Sequence, residues 1–395
     1  MSRGQLVVSD VTLVTAADRV TLSGDVGAGR VFWAMPVRPS IALRGEPFVA
    51  ALLVSAMRSG RDLVLPANAP VDAEFLAAIA EIQVIFARWF AGLTRITVMA
   101  PSIAPRVGAS GRMVGYSGGV DSSYSVMRAA DGADGTVLFD GIEYGEPNPA
   151  LMSAVGATLA HTMAQRQVPL TTVQTNVKAV GRATGGYWSE FIGGALASIP
   201  HALGLADYTV AGSNSWENLR PYGTHPYTDP LWGSSSLRIH HHGAEALRIE
   251  KIAALAQAPD LLAVLRVCFQ GEDYNCGVCH KCLQTSAALR ALRLVSPAMP
   301  PLDDPKLLRR LVVEHEGDLV DWVEILTPGL EARDPALAHE LGRLIRRYRV
   351  RTVMKQLDQV LLAGGGRNTL RRLGVLGRGK PKVPPPGDEP PPPAG

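Results

Sequence analysis

Apolar positions in the middle of the chain alternate between short continuous runs and longer segments with a helical period. The short runs predict buried strands, and the segments between them are long enough to form helices. This alternation is typical of a parallel sheet covered by helices. We therefore predict an α/β fold with an open parallel sheet over residues 106–265. Its core strands are expected at Arg112–Tyr116, Thr136–Asp140, Leu170–Thr175, Tyr208–Ala211 and Leu237–His240.

The first part of the chain has a different pattern. Short strand-like runs lead into an apolar helix near Pro47–Met57. A second, amphipathic helix follows Asp72, whose side chain is placed to cap it. We predict that residues 1–105 form an independent α+β domain. This region carries no constellation of catalytic side chains.

The last part of the chain predicts helices over residues 301–363 and a disordered, Gly/Arg/Pro-rich tail over residues 364–395. The final helix is basic, with arginines at positions 343, 346, 347 and 349. A solvated helix face is one interpretation of these charges. The alternative is docking of an acidic partner, such as a carrier protein, or of RNA.

Composition and charge narrow the class of protein. Hydrophobic residues make up 47% of the 395 residues and charged residues 19%, which excludes wholesale disorder. The net charge of +3 is uneven, because residues 343–378 carry +9 and residues 1–342 carry −6. An acidic body makes a protein built around nucleic-acid binding an unlikely interpretation. No apolar stretch reaches bilayer length, and Met1–Gln5 does not resemble a signal peptide, so we expect a cytoplasmic protein without membrane contact.

The most specific motif is Ser117-Gly118-Gly119-Val120-Asp121-Ser122, which follows the first core strand and opens a helix. Unpaired N–H groups and the helix dipole make such a helix start an anion site. Gly118 and Gly119 allow the backbone to approach a phosphate closely, and Ser117 and Ser122 add hydroxyl donors. An ordinary Gly/Ser turn is the alternative interpretation.

The four cysteines of the chain lie within one short window, at Cys268, Cys276, Cys279 and Cys282. Two interlocked C-x-x-C steps with a fourth thiol upstream suit tetrahedral zinc, and four protein ligands make a closed, structural site. We therefore predict a zinc module over residues 266–300. An iron–sulfur cluster and a pair of disulfides are the alternatives.

Together, the loop and the cysteines resemble the 7-cyano-7-deazaguanine synthase-like branch of the N-type ATP pyrophosphatase superfamily. The resemblance covers about residues 110–295 and implies a sheet of the adenine nucleotide alpha hydrolase (HUP) type. It also implies that ATP is cleaved between its α and β phosphates and that AMP is attached to a substrate oxygen. In that family, ammonia then displaces AMP to give an amide, and a second activation yields a nitrile. ATP, Mg²⁺ and Zn²⁺ are the implied cofactors.

The resemblance also implies roles for individual residues. Residues 117–122 would bind the pyrophosphate of ATP, and Asp121 would organise the loop or a Mg²⁺ ion. Arg248 and Lys251 would contact the leaving phosphates, where a fixed cation lowers the barrier. A solvated helix face is the alternative for these two side chains. Phe139 and Asp140 would lie where the superfamily holds adenine and ribose.

Weaker candidates follow the later strands. Asn214, with His225 and Asp229, could line an acceptor pocket, although ordinary turn chemistry explains Asn214 and Asp229 about as well. The triplet at 240–242, three histidines in a row, invites a metal interpretation but shows no partnered carboxylates in the sequence.

Two segments depart from the family pattern. The Pro-Gly-Arg-Asn segment of the family is replaced by residues 188–195, which lack the Arg-Asn pair. The Tyr-Pro-Asp-Cys-Arg substrate loop is replaced by residues 221–230. Because both segments help to bind the deazapurine in the family, we carry over the activation chemistry and the metal site but not the substrate.

The leading hypothesis is therefore an ATP-dependent, AMP-forming ligase. It would adenylate a carboxylate or carbonyl oxygen of a small molecule, and ammonia or an amine would displace AMP. A sulfur transferase acting on a nucleotide or tRNA is the alternative, disfavoured because every cysteine is committed to one cluster. A nucleotide-binding subunit without chemistry of its own is a third hypothesis.

Overall fold

The computed structural model describes residues 4–142, 148–270 and 273–362. The tail at 364–395, predicted to be disordered, lies outside the described residues. The strands are β1 (Gln5–Val7), β2 (Ser9–Ala16), β3 (Arg19–Asp25), β4 (Arg30–Pro36), β5 (Asp62–Val64), β6 (Val98–Met99), β7 (Arg112–Gly115), β8 (Gly135–Asp140), β9 (Leu170–Thr175), β10 (Asp207–Ala211) and β11 (Arg238–His242). The helices are α1 (Glu46–Ser59), α2 (Ala73–Trp89), α3 (Val120–Ala129), α4 (Pro149–Gln165), α5 (Val177–Ala183), α6 (Trp188–Leu203), α7 (Arg248–Ala254), α8 (Pro259–Ala263), α9 (His280–Leu292), α10 (Glu316–Ile325), α11 (Leu330–Arg333) and α12 (Pro335–Leu362).

Most strands form one sheet with the order β11-β10-β7-β8-β9-β4-β3-β2. The five strands from β7 to β11 pair in parallel and lie within two residues of their predicted bounds. Their order along the sheet, counted in chain order, is fifth, fourth, first, second, third. The α/β class with a parallel sheet is therefore confirmed.

The N-terminal region continues this sheet. The sequence predicts an independent domain over residues 1–105, whereas the structure joins this region to the rest through one sheet and one core. Strand β4 pairs antiparallel with β9, with Trp33 opposite Thr175. On one face of the sheet, Phe48 of α1 and Phe191 of α6 belong to the same buried cluster as Trp33. Among the described strands, β1, β5 and β6 form a separate small parallel sheet.

Helix α2 forms where the sequence predicts it. The Asp72 carboxylate accepts a hydrogen bond from the Phe75 N–H at 3.1 Å, which satisfies a donor of the first turn. The apolar stripe, with Phe75, Ile79, Ile82 and Phe86, is buried against the N-terminal side of the core. Local capping and periodicity therefore determine this element.

The second face of the sheet carries a separate core. Neighbouring residues of one strand point to opposite faces, so Met113 joins the first core while Val114 joins the second. The second core also contains Leu159 of α4, Trp322 of α10 and Leu341 of α12. The C-terminal helices are thus part of the packing around the sheet. Among the helices in the described part of the chain, none combines the length and the hydropathy needed to cross a membrane.

Close approach of α1 and α6 depends on a glycine. A Cβ atom added at Gly194 would lie 2.1 Å from the Ala50 carbonyl oxygen, so the two helices touch through backbone. We expect Gly194→Ala to lower the free energy of unfolding by about 1–3 kcal/mol, because the helices must move apart. Urea denaturation measures this change.

The matched control is Gly156→Ala in the middle of α4. A Cβ atom there has no neighbour closer than 3.8 Å. Alanine should therefore stabilise the helix by up to about 1 kcal/mol. If Gly194→Ala is as stable as Gly156→Ala, the close helix contact at Gly194 is not a constraint.

Candidate functional site

The order of the parallel strands reverses between β7 and β10. From β7, the chain adds β8 and β9 on one side, and β10 and β11 on the other. In open α/β sheets, ligands bind in the crevice beyond the carboxyl ends of the strands at such a reversal. Ser117 follows β7 and Gly212 follows β10, so the predicted loop borders this crevice.

The Ser117–Ser122 loop makes a compact turn into α3. Gly118 has φ +77°, a conformation that favours glycine. The Ser122 hydroxyl donates to the Gly119 carbonyl at 3.1 Å and accepts from the Ser117 N–H at 3.2 Å. Gly119 is the N-cap residue of α3 and supplies no side-chain cap. The first N–H groups of this ten-residue helix are therefore available to an anion.

A charged cluster lies directly behind the loop. The Asp121 carboxylate accepts from the Arg248 guanidinium at 2.8 Å and from Lys251 Nζ at 3.0 Å. Lys251 Nζ also donates to the Gly212 carbonyl at 2.7 Å. Both basic side chains are buried, Lys251 completely. Arg248 and Lys251 are therefore not on a solvated helix face, and the structure brings them to the predicted loop.

The electrostatics of this cluster favour binding of an anion. Burial alone would raise the pKa of Asp121, but Lys251 and Arg248 outweigh it and lower that pKa. Burial would likewise lower the pKa of Arg248, and Asp121 raises it instead. Asp121 is therefore a carboxylate and Arg248 a cation near neutral pH. One negative and two positive charges leave a net positive charge beside the N-terminus of α3.

Gly212 connects this cluster to a buried histidine–aspartate pair. His241 Nδ1 lies 2.6 Å from an Asp229 carboxylate oxygen, and both side chains are buried. His241 Nε2 is buried without a hydrogen-bond partner among the described residues. A Cβ atom at Gly212 would lie 2.0 Å from that nitrogen, so the imidazole edge packs on the glycine.

The other two histidines of the triplet have partners elsewhere. His240 Nε2 lies 2.9 Å from Asp207, and His242 Nδ1 lies 3.0 Å from the Ser125 hydroxyl. Alternation along β11 turns His241 to the opposite face from its neighbours. Within the part of the chain that the structure describes, the triplet does not converge on a metal site. No partnered carboxylates are visible in the sequence, whereas His240 pairs with Asp207 and His241 pairs with Asp229.

The three residues predicted to line an acceptor pocket lie in different environments. Asp229 is buried, and its oxygens accept from the His225 N–H at 3.1 Å and contact His241. Burial raises the pKa of Asp229, and His241 opposes that shift. The half-buried His225 ring packs against Trp89, with ring centroids 4.9 Å apart. Asn214 is half-buried in the loop after β10 and, among the described contacts, makes no hydrogen bond to either residue.

Phe139 and Asp140 end β8 beside the same crevice. The Phe139 ring is only 4% exposed and lies near Tyr208, so it belongs to the core and cannot stack on a ligand. Asp140 accepts from the Gln174 amide at 3.2 Å. The Tyr116 N–H donates to the Val137 carbonyl at 2.8 Å. In a parallel sheet, residues two apart along a strand direct their main-chain groups to the same neighbouring strand. The Phe139 N–H and C=O therefore point to the same side as those of Val137, beyond the last residue of β7.

The four cysteines come together as the sequence predicts. All four Sγ atoms lie within 4.8 Å of one another, with Cys276 and Cys282 4.0 Å apart and Cys279 and Cys268 3.9 Å apart. Four thiolates around one zinc at about 2.3 Å would lie about 3.8 Å apart. Ligands of an iron–sulfur cluster bind different irons and must spread further. The group therefore fits a single metal ion such as zinc.

The segment that leads into the cysteine group is hydrogen-bonded to the Ser117–Ser122 loop. The Arg266 N–H donates to the Gly118 carbonyl at 2.8 Å, two residues before the first cysteine. The Cys279 N–H points to Cys276 Sγ at 3.3 Å, and the Gln270 N–H points to Cys268 Sγ at 3.4 Å. These N–H groups stabilise thiolates. No local pattern in the sequence marks Arg266 or the contact between Gly212 and His241, because each partner lies far along the chain.

No protein-family model matches this chain, and neither curated proteins nor solved structures give a significant match. The chemistry of the site is defined by its own residues. Helix N–H groups, two hydroxyls and two buried cations can hold a polyphosphate, and the one carboxylate among them can hold a divalent cation.

Substitution of a cysteine tests the metal group. We expect wild-type protein to contain about one zinc per chain and Cys279→Ser to lose it. The variant should also melt at a lower temperature, since a structural metal contributes folding free energy directly. Elemental analysis and thermal denaturation measure both effects.

Val278→Ser, an exposed change between two of the cysteines, is the matched control and should keep the metal. Wild-type metal content in Cys279→Ser would contradict a four-cysteine site. Iron with acid-labile sulfide in anaerobically purified protein would contradict a single ion.

Substitution of Gly212 tests the contact between the charged cluster and His241. We expect Gly212→Ala to lower the free energy of unfolding by about 1–3 kcal/mol, because the new methyl group overlaps the imidazole. Gly342→Ala in α12 has no atom within 4 Å of the added Cβ and serves as the control. Equal stability of the two variants in urea denaturation would show that the Gly212 loop tolerates a side chain.

Proposed function

We propose that this chain is an ATP-dependent, AMP-forming ligase. In this proposal, it adenylates a carboxylate or carbonyl oxygen of a small molecule with release of pyrophosphate. It then forms a C–N bond when ammonia or an amine displaces AMP, giving an amide or, after a second activation, a nitrile. The observation that carries the proposal is the cluster of half-buried Asp121 with buried Arg248 and Lys251 behind the N-terminus of α3.

The cluster suits the leaving group of adenylation. When the bond between the α-phosphorus and its bridging oxygen breaks, negative charge accumulates on pyrophosphate. Arg248 and Lys251 are already fixed and desolvated, so they can stabilise this charge without reorganising. The N–H groups of Val120 and Asp121, with the hydroxyls of Ser117 and Ser122, would hold the β and γ phosphates.

Asp121 has the chemistry to hold Mg²⁺. Magnesium is usually bound by one or two carboxylates together with substrate phosphates and water, and Asp121 supplies one such carboxylate. The ion would neutralise phosphate charge. An ion bound to Asp121 would lie beside Arg248 and Lys251, which donate hydrogen bonds to the same carboxylate.

The order of the strands supports a sheet of the HUP type. The order third-second-first-fourth-fifth places the crevice between β7 and β10, next to the end of β8. There the main-chain N–H and C=O of Phe139 face the crevice and are suited to the polar edge of adenine. Asp140 would lie near the ribose. The Phe139 side chain has no part in this proposal, since it is buried in the core.

Activation is needed because a carboxylate is a poor electrophile. Its oxygen would attack the α-phosphorus, and the bond to pyrophosphate would break. The amine nitrogen would then attack the acyl carbon, AMP would leave with the carboxylate oxygen, and the nitrogen would lose a proton. Asn214 and His225 remain the candidates to line the acceptor pocket. Asp229 would act by orienting His225 and His241, because its oxygens are already occupied.

The sulfur-transferase alternative has less support. Such chemistry commonly uses a free thiol as a persulfide or an iron–sulfur cluster. The four thiols converge at a spacing that suits a single metal ion. In the described part of the chain, this leaves neither a free thiol for a persulfide nor ligands spread widely enough for an iron–sulfur cluster. A purely nucleotide-binding role would not require two desolvated cations beside the leaving phosphates.

Nucleotide binding and turnover provide the test. Calorimetry with ATP and Mg²⁺ should detect binding by the purified protein. ATP–pyrophosphate exchange with a panel of aliphatic and heteroaromatic carboxylic acids should identify an acceptor. Lys251→Gln should reduce exchange about 100-fold or more, because it removes one cation aimed at the developing charge. Asp121→Asn should reduce it as well.

Lys306→Gln, an exposed change in the C-terminal region, is the matched control and should leave exchange unchanged. Thermal melting of each variant separates loss of activity from loss of fold. Absence of ATP binding by wild-type protein would overturn the proposal. Full exchange activity in both Lys251→Gln and Asp121→Asn would overturn the assigned site.

A further inference from the structure

Helix α12 has apolar side chains on two opposite faces. In its first half, Leu341, Leu344 and Ile345 are buried in the second core. Two turns later, Val350, Val353, Met354 and Leu357 are exposed, at 57%, 52%, 61% and 47%. At 100° per residue, the centre of this exposed stripe lies about 180° from the centre of the buried face. The second half of the helix therefore presents apolar surface away from the body of the protein.

The exposed stripe has the spacing of a helix-pairing seam. Positions 350, 353, 354 and 357 follow the i, i+3, i+4, i+7 pattern. Four aliphatic side chains at this spacing cover about two turns and a narrow strip of the helix surface. Such a strip matches the width of one partner helix. We call residues 350–357 on this side the apolar seam.

Arginines continue the same face toward the start of the helix. Arg343 and Arg346 lie within about 40° of the seam axis, one to two turns before it. Arg349 lies on one flank, and all three side chains are exposed. In the described part of the chain, none of the three forms an ion pair with a carboxylate. The face is therefore positively charged as well as apolar.

Residues 309–313 pack beside α12 and accept hydrogen bonds from two of its arginines, but they do not neutralise the positive charge of the helix. Arg347 donates to the Arg309 carbonyl at 2.9 Å and to the Leu311 carbonyl, and Arg351 donates to the Val313 carbonyl. These bonds fix two side chains against the body but neutralise no charge. Residues 343–358 contain six basic side chains and one acidic side chain, Asp358.

The chemistry of the face selects an acidic amphipathic helix. A second copy paired in register would place each arginine beside its counterpart, which repels. An antiparallel copy would bury the Arg343 charge against the Leu357 turn without a partner. RNA binding relies on aromatic or arginine stacking, and four exposed aliphatic side chains contribute nothing to it. Interfacial membrane helices carry Lys and Arg on the face opposite their apolar residues, whereas Arg343 and Arg346 continue the same face as this seam.

We propose that the second half of α12 is a docking face for an acidic amphipathic helix of another protein. The partner would place aliphatic residues at a spacing of three and four against Val350, Val353 and Leu357. It would place Glu or Asp against Arg343 and Arg346. This interaction lies outside the ATP site and does not depend on the function proposed above.

The test uses a synthetic helical peptide of about four heptads, with leucine at positions a and d and glutamate at e and g. Fluorescence anisotropy should show saturable binding to the full-length protein, and added NaCl should weaken it. The double substitution Val353→Ser, Leu357→Ser should weaken binding at least about tenfold. Arg343→Glu with Arg346→Glu should do the same.

Exposed residues elsewhere serve as controls. Val295→Ser and Arg238→Glu change side chains of the same types outside α12 and should leave binding unchanged. All variants should melt like wild type, because the substituted side chains are exposed. A matched peptide with glutamine in place of glutamate should bind at least about tenfold more weakly.

Several results would overturn the proposal. One is absence of peptide binding, and another is binding that neither double substitution affects. Stronger binding to phosphatidylglycerol vesicles or to an RNA oligonucleotide than to the peptide would assign the face to a membrane or to RNA instead of a protein helix. Light scattering could also show a dimer. If the double substitution Val353→Ser, Leu357→Ser dissociates that dimer into monomers, the seam binds a second copy of this chain.

Discussion

The site depends on the ion cluster that joins half-buried Asp121 to the buried side chains of Arg248 and Lys251. A buried charge without a partner is strongly destabilising, so each of the three groups requires the others. Asp121 comes from the first turn of α3, and both cations come from α7, more than 120 residues later. Through the Gly212 carbonyl, Lys251 also fixes the loop after β10. The cluster therefore holds the two sides of the sheet reversal in one arrangement.

The remaining elements surround this arrangement on both faces of the sheet. The N-terminal region extends the sheet through β4 and packs α1 against α6 on the first face. The helices that follow the cysteines pack on the second face, with α3 and α4. Neither addition inserts a described strand between β8, β7 and β10. The scaffold is large, whereas the site itself is carried by the turn into α3, the loop after β10 and the first turn of α7.

Local patterns in the sequence predicted the core strands, the turn before α3 and the convergence of the cysteines. Each of these features is determined by neighbours within about 15 residues. The pairing of Trp33 with Thr175 could not be predicted in this way, because an antiparallel strand can add to either edge of a sheet. The same holds for His241 and Asp229, which look like an unpartnered histidine and a turn residue until the fold joins them. Phe139 was correctly placed along the chain, but strand alternation turned its ring into the core.

The hydrogen bond from the Arg266 N–H to the Gly118 carbonyl couples two parts of the molecule that have separate chemistry. Coupling of this kind is reciprocal: if the ion bound by the cysteines stiffens the glycine turn, an anion seated on that turn must retain the ion more tightly by the same factor. A chain starved of its metal would then be a poorer phosphate binder without any change at the phosphate contacts. In the proposed function, trace-element supply and nucleotide supply would be thermodynamically linked.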